Sequence, residues 1–165
     1  MSNNYLLHRP NIKSGDMLIW SSKRWDSLRN IKVQLIRIFT RSEYNHTGIA
    51  WVIGSRVFVI EAVTPKVRIY PLSKLDSFYH ISMNLEWNTK TEEFALSTVG
   101  HGYSTWQAIL SFFGKSIQDD LWECAELVAE VYRIENIDLG SMYTPSAIVE
   151  KALELNKQLK FISMK

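Results

Sequence analysis

Residues 42–62, SEYNHTGIAWVIGSRVFVIEA, constrain the fold more than any other part of the chain. Two apolar runs flank Gly54-Ser55, and glycine at the first of two tip positions is typical of a type II′ turn. The segment therefore predicts a β-hairpin with these two residues at its tip. In that register, directly opposed residues have numbers that sum to 109.

The predicted hairpin brings a histidine and a carboxylate to one face. Gly48 faces Glu61 and His46 faces Val63, so His46 and Glu61 are diagonal neighbours, roughly 7–8 Å apart. Gly48 has no side chain to separate them, but a one-residue change of register would move Glu61 to the other face. Two interpretations stay open: a half-buried histidine beside an edge glutamate, or a carboxylate that orients a catalytic imidazole.

The other segments predict an α+β fold in a single domain, residues 1–165, with most strands in the first half and most helices in the second. Apolar spacing and turn residues give their bounds. A turn followed by a short strand is expected at 14–20, further strands at 66–70, 79–87 and 159–164, and helices at 26–39, 91–98, 104–113, 121–133 and 145–158.

The composition excludes several classes of protein. Cys124 is the single cysteine, so no intramolecular disulfide can form. No apolar run approaches the ~20 residues that a membrane span needs, and the net charge of +2 is too small to predict nucleic-acid binding. The start, MSNNYLLHRPNIK, lacks the pattern of a signal peptide. We therefore expect a cytoplasmic protein. If it is encoded by a phage, cell lysis could release it.

The segment SIQDDLWECAELVAEVY, residues 116–132, predicts the helix that carries the cysteine. Asp120 is the expected N-cap, with Glu123 three residues later as in a capping box. Cys124 then lies in the first helical turn, where backbone N–H groups and the helix dipole stabilise a thiolate.

The surroundings of this cysteine allow two interpretations. Several acidic residues oppose a thiolate, so a nearby imidazolium would have to supply the activation; these are Asp119, Asp120, Glu123 and Glu126. Alternatively, Cys124 shares a helical face with Val128 and Val131 and is an inert core residue, as free cysteines often are.

Five short segments, in this order, resemble the circularly permuted branch of the NlpC-type papain-like cysteine peptidases, a group related to the lecithin–retinol acyltransferases. They are SGDMLIW, YNHTGIAWV, FVIEAV, WECAELV and YTPSAI, and they span about residues 14–148. In ordinary papain-like enzymes the cysteine precedes the histidine, whereas here His46 comes before Cys124, as permutation would give. Triads are defined by geometry and not by chain order.

The resemblance implies a permuted papain-like fold, with a small antiparallel sheet packed against a helical half that bears the cysteine. It also implies roles for three residues: Cys124 as nucleophile, His46 as general base and Glu61 as the residue that orients His46. Two positions depart from relatives, since Ala125 stands where serine is frequent and Ala147 where an acidic residue is expected. Both departures concern the choice of substrate more than the triad.

Cysteine-hydrolase chemistry through an acyl-enzyme is the function that this resemblance implies. The substrate would be an amide, either a peptide or an isopeptide bond such as those of peptidoglycan stems. Hydrolysis or transfer of a fatty-acyl group is the alternative within enzymes, and a non-catalytic binding module on the same fold is the alternative outside them. A polar cleft would favour the amide and a long apolar groove the acyl lipid.

Other residues were weighed for supporting roles. Tyr44 and Tyr103 could line the cleft, although packing roles are more common for such tyrosines. His101 lies between two glycines and is the competitor of His46 as general base. His80, in a predicted strand, is expected to be structural.

No metal or cofactor is expected, because the histidines and the cysteine lack the short paired spacings of zinc sites. A basic segment, residues 22–41, predicts either contact with an anionic partner, such as a cell-wall polymer, a phospholipid surface or nucleic acid, or the solvated face of an amphipathic helix. Its basic residues are Lys23, Arg24, Arg29, Lys32, Arg37 and Arg41, against the single acid Asp26. The sequence does not indicate the oligomeric state.

Overall fold

A computed structural model describes residues 3–21, 44–103, 123–141, 144–155 and 158–164. These residues form an α+β fold with one six-stranded antiparallel sheet and four helices. In chain order the elements are α1 (Asn3–His8), β1 (Met17–Trp20), β2 (His46–Ile53), β3 (Arg56–Val63), β4 (Lys66–Pro71), β5 (Phe78–Ile81), α2 (Thr89–Ser97), α3 (Cys124–Ile134), α4 (Pro145–Glu154) and β6 (Leu159–Ile162). The predicted helices at 26–39 and 104–113 lie outside the described residues.

The hairpin prediction is confirmed. Strands β2 and β3 pair with Ile49 opposite Ile60 and Ala50 opposite Val59, the expected register. Gly54 at the tip has a φ of 58°, which suits the first central position of a type II′ turn. The hairpin lies inside the sheet, whose strand order is β4-β3-β2-β1-β5-β6.

Alternation along these strands supplies a core on each face of the sheet. Ile49 and Ile60 point toward the helices and pack with the apolar side of α3, including Leu127. Ala50 and Val59 belong to a second buried cluster on the opposite face. Both faces are thus covered, and α3 contacts the two strands of the hairpin.

The structure differs from the predictions in the length of one strand and in one additional helix. The strand expected at 79–87 ends at Ile81, because the Met83 N–H leaves the ladder and bonds Oδ1 of Asp16 at 3.2 Å. Asn84 then takes a positive φ of 50°, which ends extended pairing. The sequence did not predict the short helix α1; its Tyr5 accepts the Val57 backbone N–H at its hydroxyl oxygen, at 3.0 Å, and so ties the helix to β3.

One glycine joins the helix that carries the cysteine to the strand that carries the histidine. The Gly15 N–H donates to the carbonyl of Ala50 in β2 at 2.9 Å, and the hydroxyl of Tyr132 in α3 donates to the Gly15 carbonyl at 2.9 Å. Gly15 has a φ of 87°, and a Cβ there would lie 2.8 Å from Cδ2 of Leu85. A glycine is therefore required at this junction.

No helix within the described ranges is both long and apolar enough to cross a membrane.

Candidate active site

The histidine and the carboxylate of the hairpin form a direct hydrogen bond. Nε2 of His46 lies 2.6 Å from Oε2 of Glu61. Glu61 is 2% exposed and His46 22% exposed by side chain, so the pair is shielded from water while one edge of the ring stays open. Gly48 between them carries no side chain, and its position explains why two diagonal residues can meet.

Cys124 begins helix α3 beside this pair. The predicted place in the first turn is confirmed, but the predicted N-cap is wrong. Glu123, with extended backbone, caps the helix and forms a capping box with Glu126, whose Oε2 accepts the Glu123 N–H at 3.3 Å. Asp120 lies three residues before this cap and outside the described residues.

The cysteine also acts on this histidine. The side chain of Cys124 lies close enough to His46 for its hydrogen bonding and charge to favour the protonated imidazole. Cys124 is 7% exposed. The structure thus brings together the three residues that the sequence had singled out, with His46 in the middle.

The electrostatics of this group favour a charged imidazole. Burial alone would lower the pKa of His46, but the hydrogen bonds and charges of Cys124 and Glu61 outweigh it and raise the pKa to about 9. Burial works to raise the pKa of Glu61, yet the hydrogen bonds and charges of His46 and Arg68 hold it below its usual value. An ionised carboxylate next to an imidazolium is the resulting state at neutral pH.

Arg68 is a member of this site that sequence reasoning missed. Its Nε and Nη2 lie 2.8 and 2.7 Å from Oε1 of Glu61. A signal was available, because continuing the ladder from β3 into β4 places Arg68 directly opposite Glu61, and opposite charges in that position attract.

The three other predicted site residues occupy different environments. Tyr103 is partly buried near the cysteine, where burial and the charges of Cys124 and Glu123 raise its pKa and keep the phenol neutral. Tyr44 packs edge-on against Tyr79, with ring centroids 5.6 Å apart. His101 is exposed, and its carbonyl accepts the Val67 N–H at 2.9 Å.

A second carboxylate–imidazole pair lies elsewhere in the fold. Oδ2 of Asp16 is 2.8 Å from Nε2 of His80, and both side chains are buried. Asp16 also accepts the backbone N–H groups of Lys13 and Met83. These three partners occupy both carboxylate oxygens and join the start of β1 to β5, and His80 thus has the structural environment that the sequence predicts for it.

Gly48 provides a test of the hairpin geometry. A Cβ there would lie 2.5 Å from Cγ2 of Val59 and 3.3 Å from Cβ of Glu61. We expect Gly48→Ala to lower the free energy of unfolding by about 1–3 kcal/mol through overpacking, measured by urea unfolding. Ser55→Ala, at the exposed tip of the same hairpin, is the control and should stay within about 0.5 kcal/mol of wild type. Equal stability of the two variants would contradict the close approach.

Comparison with known proteins bears on the fold. The structure is similar to the crystal structure of the metalloprotein YiiX from Escherichia coli O157:H7, a DUF1105 protein, with a TM-score of 0.57. The two sequences are 23% identical, and the match covers 79% of this chain and 70% of YiiX. Within the described part of this chain, no three His, Cys, Asp or Glu side chains are arranged to hold a metal ion. No protein-family model and no curated protein matches the chain, so the likeness to YiiX concerns the fold alone.

Proposed function

We propose that this protein is a cysteine hydrolase that cleaves an amide bond, in a peptide or an isopeptide, through an acyl-enzyme on Cys124. The observation that carries the proposal is the position of His46, whose Nε2 lies 2.6 Å from Oε2 of Glu61 and whose pKa is raised by the neighbouring Cys124 as well as by Glu61. A thiol, an imidazole and a carboxylate in that order are the parts of a nucleophilic triad. We infer that the α+β fold is a permuted papain-like one.

The chemical steps follow from the contacts. The imidazolium of His46, which already carries its proton at neutral pH, stabilises the thiolate of Cys124, and the sulfur attacks the carbonyl carbon of the substrate. The imidazolium then gives its proton to the leaving amine as the C–N bond breaks, which leaves a thioester on Cys124. Water, deprotonated by the neutral His46, attacks the thioester, and the acid product and the free thiol are released.

Two features would support the charge that develops in these steps. The backbone N–H of Cys124, at the first position of α3, points out of the helix and is a donor for the oxyanion; removing one such donor typically costs about 10²–10³ in rate. Glu61 stabilises the imidazolium, because its carboxylate is buried and ionised beside the ring. Neither feature selects between a peptide and a fatty-acyl carbonyl.

A substrate panel with a covalent readout tests the proposal. The panel contains peptidoglycan stem peptides, isopeptide-linked peptides and fatty-acyl esters, incubated in EDTA so that only metal-independent hydrolysis is scored. We expect turnover of an amide substrate, an acyl adduct on Cys124 by mass spectrometry, and loss of both in Cys124→Ala. Turnover of fatty-acyl esters alone would indicate that the substrate is an acyl lipid and not an amide. Turnover retained in Cys124→Ala would contradict a cysteine nucleophile.

A further inference from the structure

The carboxylate of Glu61 is divided between two cations. Oε2 faces Nε2 of His46 at 2.6 Å, while Oε1 accepts from Nε and Nη2 of Arg68 at 2.8 and 2.7 Å. The two contacts lie on neighbouring strands on either side of β3, since His46 begins β2 and Arg68 belongs to β4. Each oxygen thus has its own partner, and rotation of the carboxylate would break both contacts.

The guanidinium of Arg68 is itself held in place. Its Cζ lies 4.4 Å from the ring centroid of Tyr70, two residues further along β4, a distance at which a cation is attracted to an aromatic face. The ladder between β3 and β4 places Arg68 opposite Glu61. Although the side chain of Arg68 is 41% exposed, the ring on one side and the carboxylate on the other restrict its motion.

The burial of Glu61 makes this arrangement consequential. A carboxylate that is 2% exposed tends to take up a proton, and a neutral Glu61 would no longer stabilise an imidazolium. The charges acting on Glu61 are those of His46 from β2 and Arg68 from β4. Cys124 of α3 acts in turn on His46, and the charges of Cys124 and Glu123 act on Tyr103.

We propose that Arg68 is a positioning residue that keeps Glu61 ionised and its Oε2 directed at His46, and thereby raises the reactivity of Cys124 without touching the substrate. This role rests on the cysteine-hydrolase function proposed above. Arg68 acts on Cys124 through Glu61 and His46. Its removal should therefore weaken the activation of the thiol, while a reagent can still reach the sulfur.

The test compares iodoacetamide labelling of Cys124 at pH 6.5 and pH 10 in Arg68→Gln, Arg68→Lys and the control Arg56→Gln, an exposed arginine at the start of β3. We expect labelling of Arg68→Gln at pH 6.5 to be about 10-fold slower than wild type, since Oε2 of Glu61 is then no longer held toward His46 and a hydrogen bond to a charged group contributes about 1.5 kcal/mol or more. Arg68→Lys should recover only part of the rate, because lysine keeps the positive charge but cannot make the two parallel N–H bonds of the guanidinium. At pH 10, where the thiolate forms without help, all variants should match.

A double variant separates a positioning role from a loss of structure. If Arg68 acts through His46, Arg68→Gln should slow labelling no further in a His46→Ala background. Additive effects there, or an Arg68→Gln profile that superimposes on wild type, would overturn the proposal. If His46→Ala by itself labels like wild type, the proposed function falls as well.

A milder variant keeps the proposal testable should Arg68→Gln fail to fold. Tyr70→Leu leaves both charges and removes only the ring beneath the guanidinium. We expect it to slow labelling at pH 6.5 about threefold, in line with the roughly 0.5–1 kcal/mol of an exposed cation–π contact, and to leave labelling at pH 10 unchanged. An unchanged rate at pH 6.5 would count against Arg68.

Discussion

Replacing His46 with alanine should slow the labelling of Cys124 by iodoacetamide at pH 6.5 by as much as about 100-fold, because an unassisted thiol with a pKa of about 8.5 is only about 1% thiolate at that pH. In the proposed triad, the imidazolium of His46 lies beside Cys124 and stabilises the charged form of the sulfur during attack. Cys124 is the only cysteine of the chain, so every adduct reports on this site.

The pH dependence gives the sign of the effect. The pKa of His46 is raised to about 9, so the imidazolium is present at neutral pH and is lost as the pH rises through 9. The ratio of wild-type to His46→Ala labelling should therefore be largest near pH 6.5 and approach one at pH 10. The rate of hydrolysis should fall as the pH rises through 9, since the leaving amine needs the imidazolium proton.

His101→Ala is the matched control for this experiment. His101 is an exposed histidine in the same chain, and the sequence left it as the competitor for the role of base. Its removal should leave the labelling profile unchanged. Slower labelling in His101→Ala but not in His46→Ala, or slow labelling of wild-type Cys124 at pH 6.5, would contradict the triad and favour a binding module.

Removing the buried carboxylate of Asp16 should cost about 3–5 kcal/mol of unfolding free energy, because three donors lose their acceptor and each buried polar group left unsatisfied costs about 1–3 kcal/mol. Asp16→Ala leaves His80 buried without its 2.8 Å partner and removes the acceptor of the Met83 and Lys13 N–H groups. That loss is a large part of the 5–15 kcal/mol by which domains are typically stable.

Urea unfolding followed by tryptophan fluorescence measures this loss. Asp76→Ala, an exposed aspartate just before β5, is the control, and it should change stability by about 0.5 kcal/mol or less. Asp16→Asn keeps an oxygen acceptor for the Met83 N–H but replaces the second oxygen by an amide NH₂, so its stability should lie between wild type and Asp16→Ala. If Asp16→Ala and Asp76→Ala unfold at the same urea concentration, the buried pair contributes nothing.

The parts of the structure that sequence reasoning predicted are those determined by local chemistry. A type II′ turn at Gly54 and strict alternation were enough to place Ile49 opposite Ile60, and the diagonal of His46 and Glu61 followed. Arg68 needed only one more application of the same register. These contacts join residues that are close in the chain, so turn geometry determines them.

The parts that were missed depend on contacts between distant segments. The bond between Asp16 and His80 joins residues 64 apart, and no local pattern announces it. The same carboxylate draws Met83 out of the predicted strand. At the start of α3, Asp120 and Glu123 are both acids ahead of an apolar run, and local sequence does not distinguish which one caps the helix.

The separation of these residues in sequence also determines the order in which the site can form during folding. The bond between His46 and Glu61 spans 15 residues within one hairpin, and closing a short loop costs little chain entropy. Cys124 is contributed from the other half of the chain and reaches His46 only when α3 docks on the sheet. While the chain is being synthesised, the hairpin can therefore form first, with its imidazole and carboxylate already paired. In the proposed mechanism, the thiol gains its activating partner only on docking, so a nascent or partly unfolded chain would not expose an activated nucleophile.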